Sequence, residues 1–277
     1  MVHRDMKRVE TVHVGENLEP TLMASPSGQT SDRDPDEPRA PFLAPSLSIG
    51  DADFVPELLP RQLAATFAEV LPSDGAGLSL TSGGFRVPLG ASDDTSGAAE
   101  RLQFTLGEGP CLQAMHDARE LRANQDDIAR LWPLLYDELV RQTPYRSIAS
   151  VPLRVTPTVV GAIDAYFTDP AGAFTVDLGD AVSLASEAAH LLRLHSAPLQ
   201  LSISEPDLMV PAWTYSQSSR NRMRVWIATG VLQAQLNISS PDAFDRLRGY
   251  AYSHEQDLDE LATAIIEGTL PANSFAA

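Results

Sequence analysis

The sequence predicts an α+β domain followed by an all-α module of three helices. Three observations carry that expectation. Between residues 55 and 195, two pairs of β-rich runs, each joined by a turn signal, are separated by helical stripes. Between residues 220 and 266, three amphipathic stretches succeed one another with short joints. Ahead of both, residues 20–45 are dense in Pro, Ser and Asp and show no period. Such a composition buries too little apolar surface to offset its ordering entropy, so residues 1–50 are expected to form a disordered tail.

The 277-residue chain has room for about two domains. A formal net charge of −17 and a pI near 4.6 oppose long-range attraction to nucleic acid or anionic membranes. Any nucleic-acid contact therefore has to come from a local basic patch. One cysteine, Cys111, excludes an intrachain disulfide and fits a reducing compartment; the expected location is cytoplasmic. No run of about 18 apolar residues occurs, so no membrane span is expected. The basic start (His3, Arg4, Lys7, Arg8) has no apolar stretch behind it and does not read as a secretory signal.

In chain order, Leu58, Leu59, Leu63, Phe67 and Val70 predict a first helix, stopped at Pro72. Residues 76–82 and 85–92 read as two strands turned at Gly83-Gly84. A helical stretch and a loop lead to Leu106-Gly107-Glu108-Gly109-Pro110-Cys111, with a helix expected over 112–118. Residues 131–142 predict another helix, with Leu131, Leu134, Leu135 and Leu139 inward. Residues 146–155 and 159–167 read as long strands turned at Thr156-Pro157-Thr158. In the second, Val159, Ile163 and Phe167 make an apolar face, and Asp164 interrupts the other. A helix rich in Ala and Leu over 178–194 closes the domain. Its Val182, Leu184, Ala185, Ala188, Ala189, Leu191, Leu192 and Leu194 exceed a single stripe, which predicts a second partner and hence a homodimer.

This order of helix, hairpin, helices, hairpin and closing helix resembles a GAF domain over residues 52–195. The stretch from Leu106 to Cys111, with Val159-x-Gly161-Ala162-Ile163-Asp164-x-Tyr166 downstream, looks like the GAF domains that precede ANTAR domains in actinobacterial regulators. The resemblance implies an antiparallel sheet with helices packed on one face. In many members the other face takes a small molecule, so an unidentified small-molecule ligand is an expected partner. Residues 196–219, with Pro198, Pro206 and Pro211, are expected to be a linker; Met209, Val210, Trp213 and Tyr215 suit docking better than a free tether.

In the C-terminal module, residues 220–236 read as a first helix with Met223, Ile227, Val231 and Ala234 as its stripe, ended by Asn237. Ser240-Pro241 opens a second helix that buries Phe244, Leu247 and Ala251. A third opens near Asp257, with Leu258, Leu261, Ala262 and Ile265 inward. The order Arg222-x-x-Val225-x-Ile227-Ala228-x-Gly230-x-Leu232, then Ala243-Phe244-x-x-Leu247-Arg248-x-x-Ala251, then Leu258-x-x-Leu261-Ala262-x-x-Ile265-Ile266, resembles the ANTAR domain, here residues 220–270. ANTAR domains are three-helix RNA-binding modules of bacterial transcription antitermination regulators. The resemblance implies a partner of structured RNA, stem-loops in particular. The family carries lysine between Ala228 and Gly230, where this chain has Thr229. Arginines Arg220, Arg222, Arg224, Arg246 and Arg248 fall on the first two helices, while carboxylates crowd the third. Guanidinium forks bind phosphate and stack on unpaired bases. Arg222, Arg246 and Arg248 are therefore the expected phosphate contacts, Tyr250 the base-stacking residue with His254 beside it, and Thr229 the place of the family's lysine.

Catalysis has little support. Cys111 and His116 lie five apart, off the i+3 and i+4 spacings that join helical neighbours. Gly109-Pro110-Cys111 reads as a turn into a helix with a small buried thiol, the alternative being a redox-sensing thiol at a helix N-terminus. His190 and His195 have no cysteine or carboxylate at metal spacing, and no phosphate loop is present. No enzyme activity, cofactor or metal is expected. Two other readings stand beside RNA binding: a sensory dimer whose helical tail serves protein–protein contact, and a DNA-binding helix-turn-helix. Asp242 and Asp245 on the second helix make it a poor recognition helix for a major groove.

Overall fold

The computed structural model describes residues 55–82, 85–195 and 217–275. The expected tail, most of the expected linker and the Gly83-Gly84 turn lie outside the described residues. Both folded parts belong to one compact unit.

The first part is built on a five-stranded antiparallel sheet. In chain order its elements are α1 (Leu59–Val70), β1 (Gly75–Ser82), β2 (Phe85–Ala91), α2 (Asp94–Leu106), α3 (Pro110–Asp117), β3 (Leu121–Ala123), α4 (Gln125–Leu131), α5 (Pro133–Gln142), β4 (Ser147–Val155), β5 (Thr158–Phe167) and α6 (Leu178–Leu194). The strand order is β2-β1-β5-β4-β3. Alternation sorts the side chains onto two faces. Leu78, Val151, Leu153, Ile163, Ala165 and Phe167 meet α1 and α6 in one apolar core. The opposite face, with Ser79, Arg86, Ser150, Asp164 and Tyr166, is covered by α2 and α3. Helices thus flank both faces of the sheet rather than one.

The boundaries follow local chemistry. Asp93 caps α2 by accepting from the Ser96 amide, Asn124 and Asp127 form a reciprocal capping box on α4, and Asp177 caps α6. Pro133 opens α5, so the helix expected over 131–142 divides at Trp132 into α4 and α5. Leu135 and Leu139 are buried as expected, whereas Leu134 is 43 % exposed. The short strand β3 has no counterpart in the sequence reading. In α6, Leu184, Ala185, Ala188, Ala189, Leu191 and Leu192 are buried within this chain, against β4 and α1. The breadth of that apolar face is met intramolecularly, leaving Val182 and Leu194 as its exposed apolar residues.

The second part consists of α7 (Gln217–Leu236), α8 (Ser240–Ser253) and α9 (Leu258–Ile266), closed by a 3-10 turn over Ala272–Phe275. Asn237 takes the left-handed conformation expected of it, with φ 53°. Ser239 rather than Ser240 caps α8, accepting from the Asp242 amide, and Asp257 caps α9. The buried stripe of α7 is Val225, Ala228 and Leu232, not the expected Met223, Ile227, Val231 and Ala234. Met223 and Ile227 are about half exposed, at 52 % and 49 %. Apolar residues ring this helix, so spacing alone permits two stripes. The choice between them is made by α8 and α9, which pack against the first.

Candidate nucleic-acid interface and a buried charge cluster

The residues expected to meet RNA fall into separate places. Arg246 and Tyr250, one turn apart on α8, share a face. Arg246 Nη1 donates to the Phe275 carbonyl at 2.6 Å, and the Tyr250 ring stacks on His254 with centroids 3.8 Å apart. The expected base-stacking partner is thus already paired with His254, and Phe275 lies against its ring. Arg248 points the other way. Its Nε–H donates to the Thr105 carbonyl at the end of α2 at 2.9 Å, and its guanidinium carbon lies 4.9 Å from the centre of the Phe244 ring. Only 17 % of its side chain is exposed; burial pulls its pKa below the usual arginine value, against the opposing pull of Asp245. Thr229 is 2 % exposed, and its hydroxyl donates to the Val225 carbonyl at 2.8 Å. It faces the interior, away from any phosphate in this packing. The Arg222 side chain lies outside the described residues.

Between the two parts runs a cleft of about 390 Å³, walled by α2 and α5 on one side and by α8, α9 and their joint on the other. Arg101, Glu138 and Arg141 line one wall, Glu255 and Asp257 the other. Arg141 bonds to Glu138 and also feels the charge of Glu255.

A second cluster, of which the sequence had singled out Asp164 and the buried thiol of Cys111, occupies the sheet face beneath α2 and α3. Arg86 of β2 is buried and forms an ion pair with Glu100 of α2. Its Nη1 donates to the Glu100 carbonyl at 3.0 Å, and its Nε–H to Cys111 Sγ at 2.9 Å. Glu100 also accepts from Ser79 Oγ at 2.6 Å and from the Tyr166 hydroxyl at 2.5 Å. Gln103 bridges the rest: its Nε2 donates to Asp164 Oδ2 at 2.8 Å and to the Tyr166 hydroxyl at 3.0 Å, and its Oε1 accepts from the Cys111 amide. Gly77 sits where any Cβ would overlap the Glu100 carboxylate, so only glycine lets that group lie on the strand.

Two carboxylates share one buried arginine. Arg86 stands 4.0 Å from Asp164 and bonds directly to Glu100, so Glu100 takes most of the compensation. Burial first, and the charge of Glu100 second, push the Asp164 carboxyl up to about 7. Ser150 of β4 is its cross-strand partner. Burial also raises the Cys111 thiol well above its ordinary value, against the pull of Arg86. A thiol that is 0 % exposed and held protonated is a structural group. A thiol reagent at neutral pH should therefore label the native protein far more slowly than the unfolded chain. Cys111→Ser, which keeps an acceptor for Arg86, should cost about 1–2 kcal/mol in chemical denaturation. Among the described residues no group of histidine, cysteine and carboxylate side chains has a metal-binding arrangement, and no helix is long and apolar enough to cross a membrane.

The chain thus pairs an antiparallel sheet covered on both faces with a C-terminal three-helix module. Comparison with known families gives the same division: a GAF domain model matches residues 56–194 and an ANTAR domain model residues 215–266. The chain belongs to the GAF family and carries a C-terminal ANTAR domain, the organisation of a GAF–ANTAR two-domain regulator. No curated protein matches it. Solved structures similar to it include the type II free methionine-R-sulfoxide reductase of Thermoplasma acidophilum, at 19 % identity over 50 % of this chain and 94 % of that one, with a TM-score of 0.38. The GAF domain of the cyanobacteriochrome TePixJ matches at 16 % identity over 50 % and 89 % of the two chains, TM-score 0.38. The GAF domain of an Acinetobacter phosphoenolpyruvate-protein phosphotransferase matches at 12 % identity over 53 % and 85 %, TM-score 0.36.

Proposed function

We propose that this regulator acts on RNA: its ANTAR domain binds stem-loops of a nascent transcript and prevents terminator formation, and its GAF domain makes that binding responsive to a small-molecule signal. The observation that carries this reading is the ANTAR match, joined to the segregation of arginine onto α7 and α8. The contact residues are Arg222, Arg246 and Arg248 for phosphate and Tyr250 for a base, by stacking once His254 yields its place. The protein is a cytoplasmic regulator and not an enzyme. It works as a homodimer, and the exposed Met223 and Ile227 of α7 favour that helix as part of the contact. The second reading, a sensory dimer that binds no RNA, draws on the same exposed stripe and on the buried Thr229.

A titration of fluorescent two-hairpin RNA at two salt concentrations separates the readings. Binding should weaken with salt, and Arg246→Ala should lower affinity and flatten the salt slope by about one phosphate contact. Thr229→Lys should not tighten binding: it buries an ammonium in place of a satisfied hydroxyl, at a cost of about 1–3 kcal/mol or more in stability. No preference for hairpins over a scrambled duplex by any of these proteins would leave the sensory-dimer reading in its place.

A further inference from the structure

We infer that the structure holds the ANTAR domain in a state closed to RNA, with the end of α2 in the GAF domain seated on the face of α8 that carries Arg248. The inference rests on the reading of Arg248 as a phosphate contact. Phe104, in the last turn of α2, is 3 % exposed, yet it belongs to the core of the three-helix module, its ring 5.5 Å from that of Phe244. Trp226 of α7 packs against the cores of both domains, and α7 lies on β2. The last carbonyls of a helix lack intrahelical donors and carry partial negative charge. One of them, Thr105 O, takes the Arg248 Nε–H. α2 ends at Gly107 with φ 71°, and any Cβ there would overlap the Arg248 guanidinium. The helix terminus thus offers Arg248 what an RNA phosphate would offer, an oxygen acceptor with negative charge, in a space cleared by glycine. One guanidinium with 17 % of its side chain exposed does not serve both. α2 also carries Glu100 and Gln103 of the buried cluster within one turn of Phe104, so a change in the cluster and release of the module act on the same helix.

Full-length protein, Phe104→Ser and Arg141→Glu, each also with Arg248→Ala, would be titrated with fluorescent two-hairpin RNA after a circular-dichroism check of folding. Arg141→Glu places like charge opposite Glu255 across the cleft and leaves both cores intact. Hydrogen exchange at residues 104–107 would be followed with and without RNA. If the closed form is about nine-tenths of the population, full release strengthens apparent affinity roughly tenfold. Phe104→Ser should approach that gain and Arg141→Glu show a smaller one. Arg248→Ala should abolish both, and RNA should speed exchange at 104–107 in the unaltered protein. Equal RNA affinity of the unaltered protein and a folded release variant, or unchanged exchange at 104–107 with RNA bound, overturns this inference alone. Failure of every variant to prefer hairpins over scrambled duplex overturns it together with the proposed function. Should Phe104→Ser not fold, Arg141→Glu and the exchange measurement decide.

Discussion

Arg86→Met should cost about 3–5 kcal/mol, because it leaves the Glu100 carboxylate buried without its counter-charge. That is a large part of the roughly 5–15 kcal/mol that holds a typical domain folded. Ser79 and Tyr166 still donate to Glu100, but neutral donors do not offset a desolvated charge. Neutralising the partner should relieve the loss, so Glu100→Gln added to Arg86→Met should recover part of it, a coupling that a double-mutant cycle reads directly. Urea unfolding of the four proteins measures it. A loss under about 1 kcal/mol for Arg86→Met would mean that the pair is hydrated and not the buried contact described here.

Asp164 should make stability depend on pH in the direction opposite to that of an ordinary salt-bridged carboxylate. Its folded pKa is raised to about 7 from the ordinary carboxylate value of 3.8, chiefly by burial. Between those values the native state holds a proton that the unfolded chain has released. The contribution of this group is therefore greatest below the unfolded pKa and is lost as pH rises through the folded one. Asp164→Asn should remove that dependence. Asparagine keeps an oxygen for Gln103 and supplies an amide N–H toward Ser150 on the neighbouring strand. The variant should match the parent near pH 5 and exceed it at pH 8 by roughly 1–4 kcal/mol, from 1.36 kcal/mol per pKa unit. Denaturant midpoints at several pH values across that range check it; parallel pH profiles for the two proteins would show that Asp164 is ionised in the fold at neutral pH.

Much of the fold was legible because its signals are local. Asn237 at the end of α7, the proline that opens α8, and the alternation in β5 act within a few residues of the structure they determine. Pro133, which splits the helix expected over 131–142, is an equally local signal that this expectation passed over. Asp164 stood out because it breaks an apolar strand. Its partners did not: Arg86 reads as an ordinary strand arginine and Glu100 as a helix-surface glutamate, and they meet across a sheet fold that no spacing encodes. The same holds for Arg248 and Thr229. Their place on α7 and α8 followed from periodicity, but whether each faces solvent depends on what packs against it, which for Arg248 is the end of α2, more than a hundred residues upstream. The stripe of α7 failed for a related reason: a helix in contact with two bodies is apolar around much of its surface, and periodicity cannot rank its faces.

Sequencing the RNA that co-purifies with the full-length protein from cells in which it is naturally expressed tests the central claim most directly. Enrichment of short paired hairpins lying just upstream of transcription terminators, lost or reduced for Arg246→Ala, is the predicted result. A bound pool indistinguishable from total cellular RNA would contradict an RNA-binding antiterminator and leave a GAF-family sensor whose helical module meets protein instead.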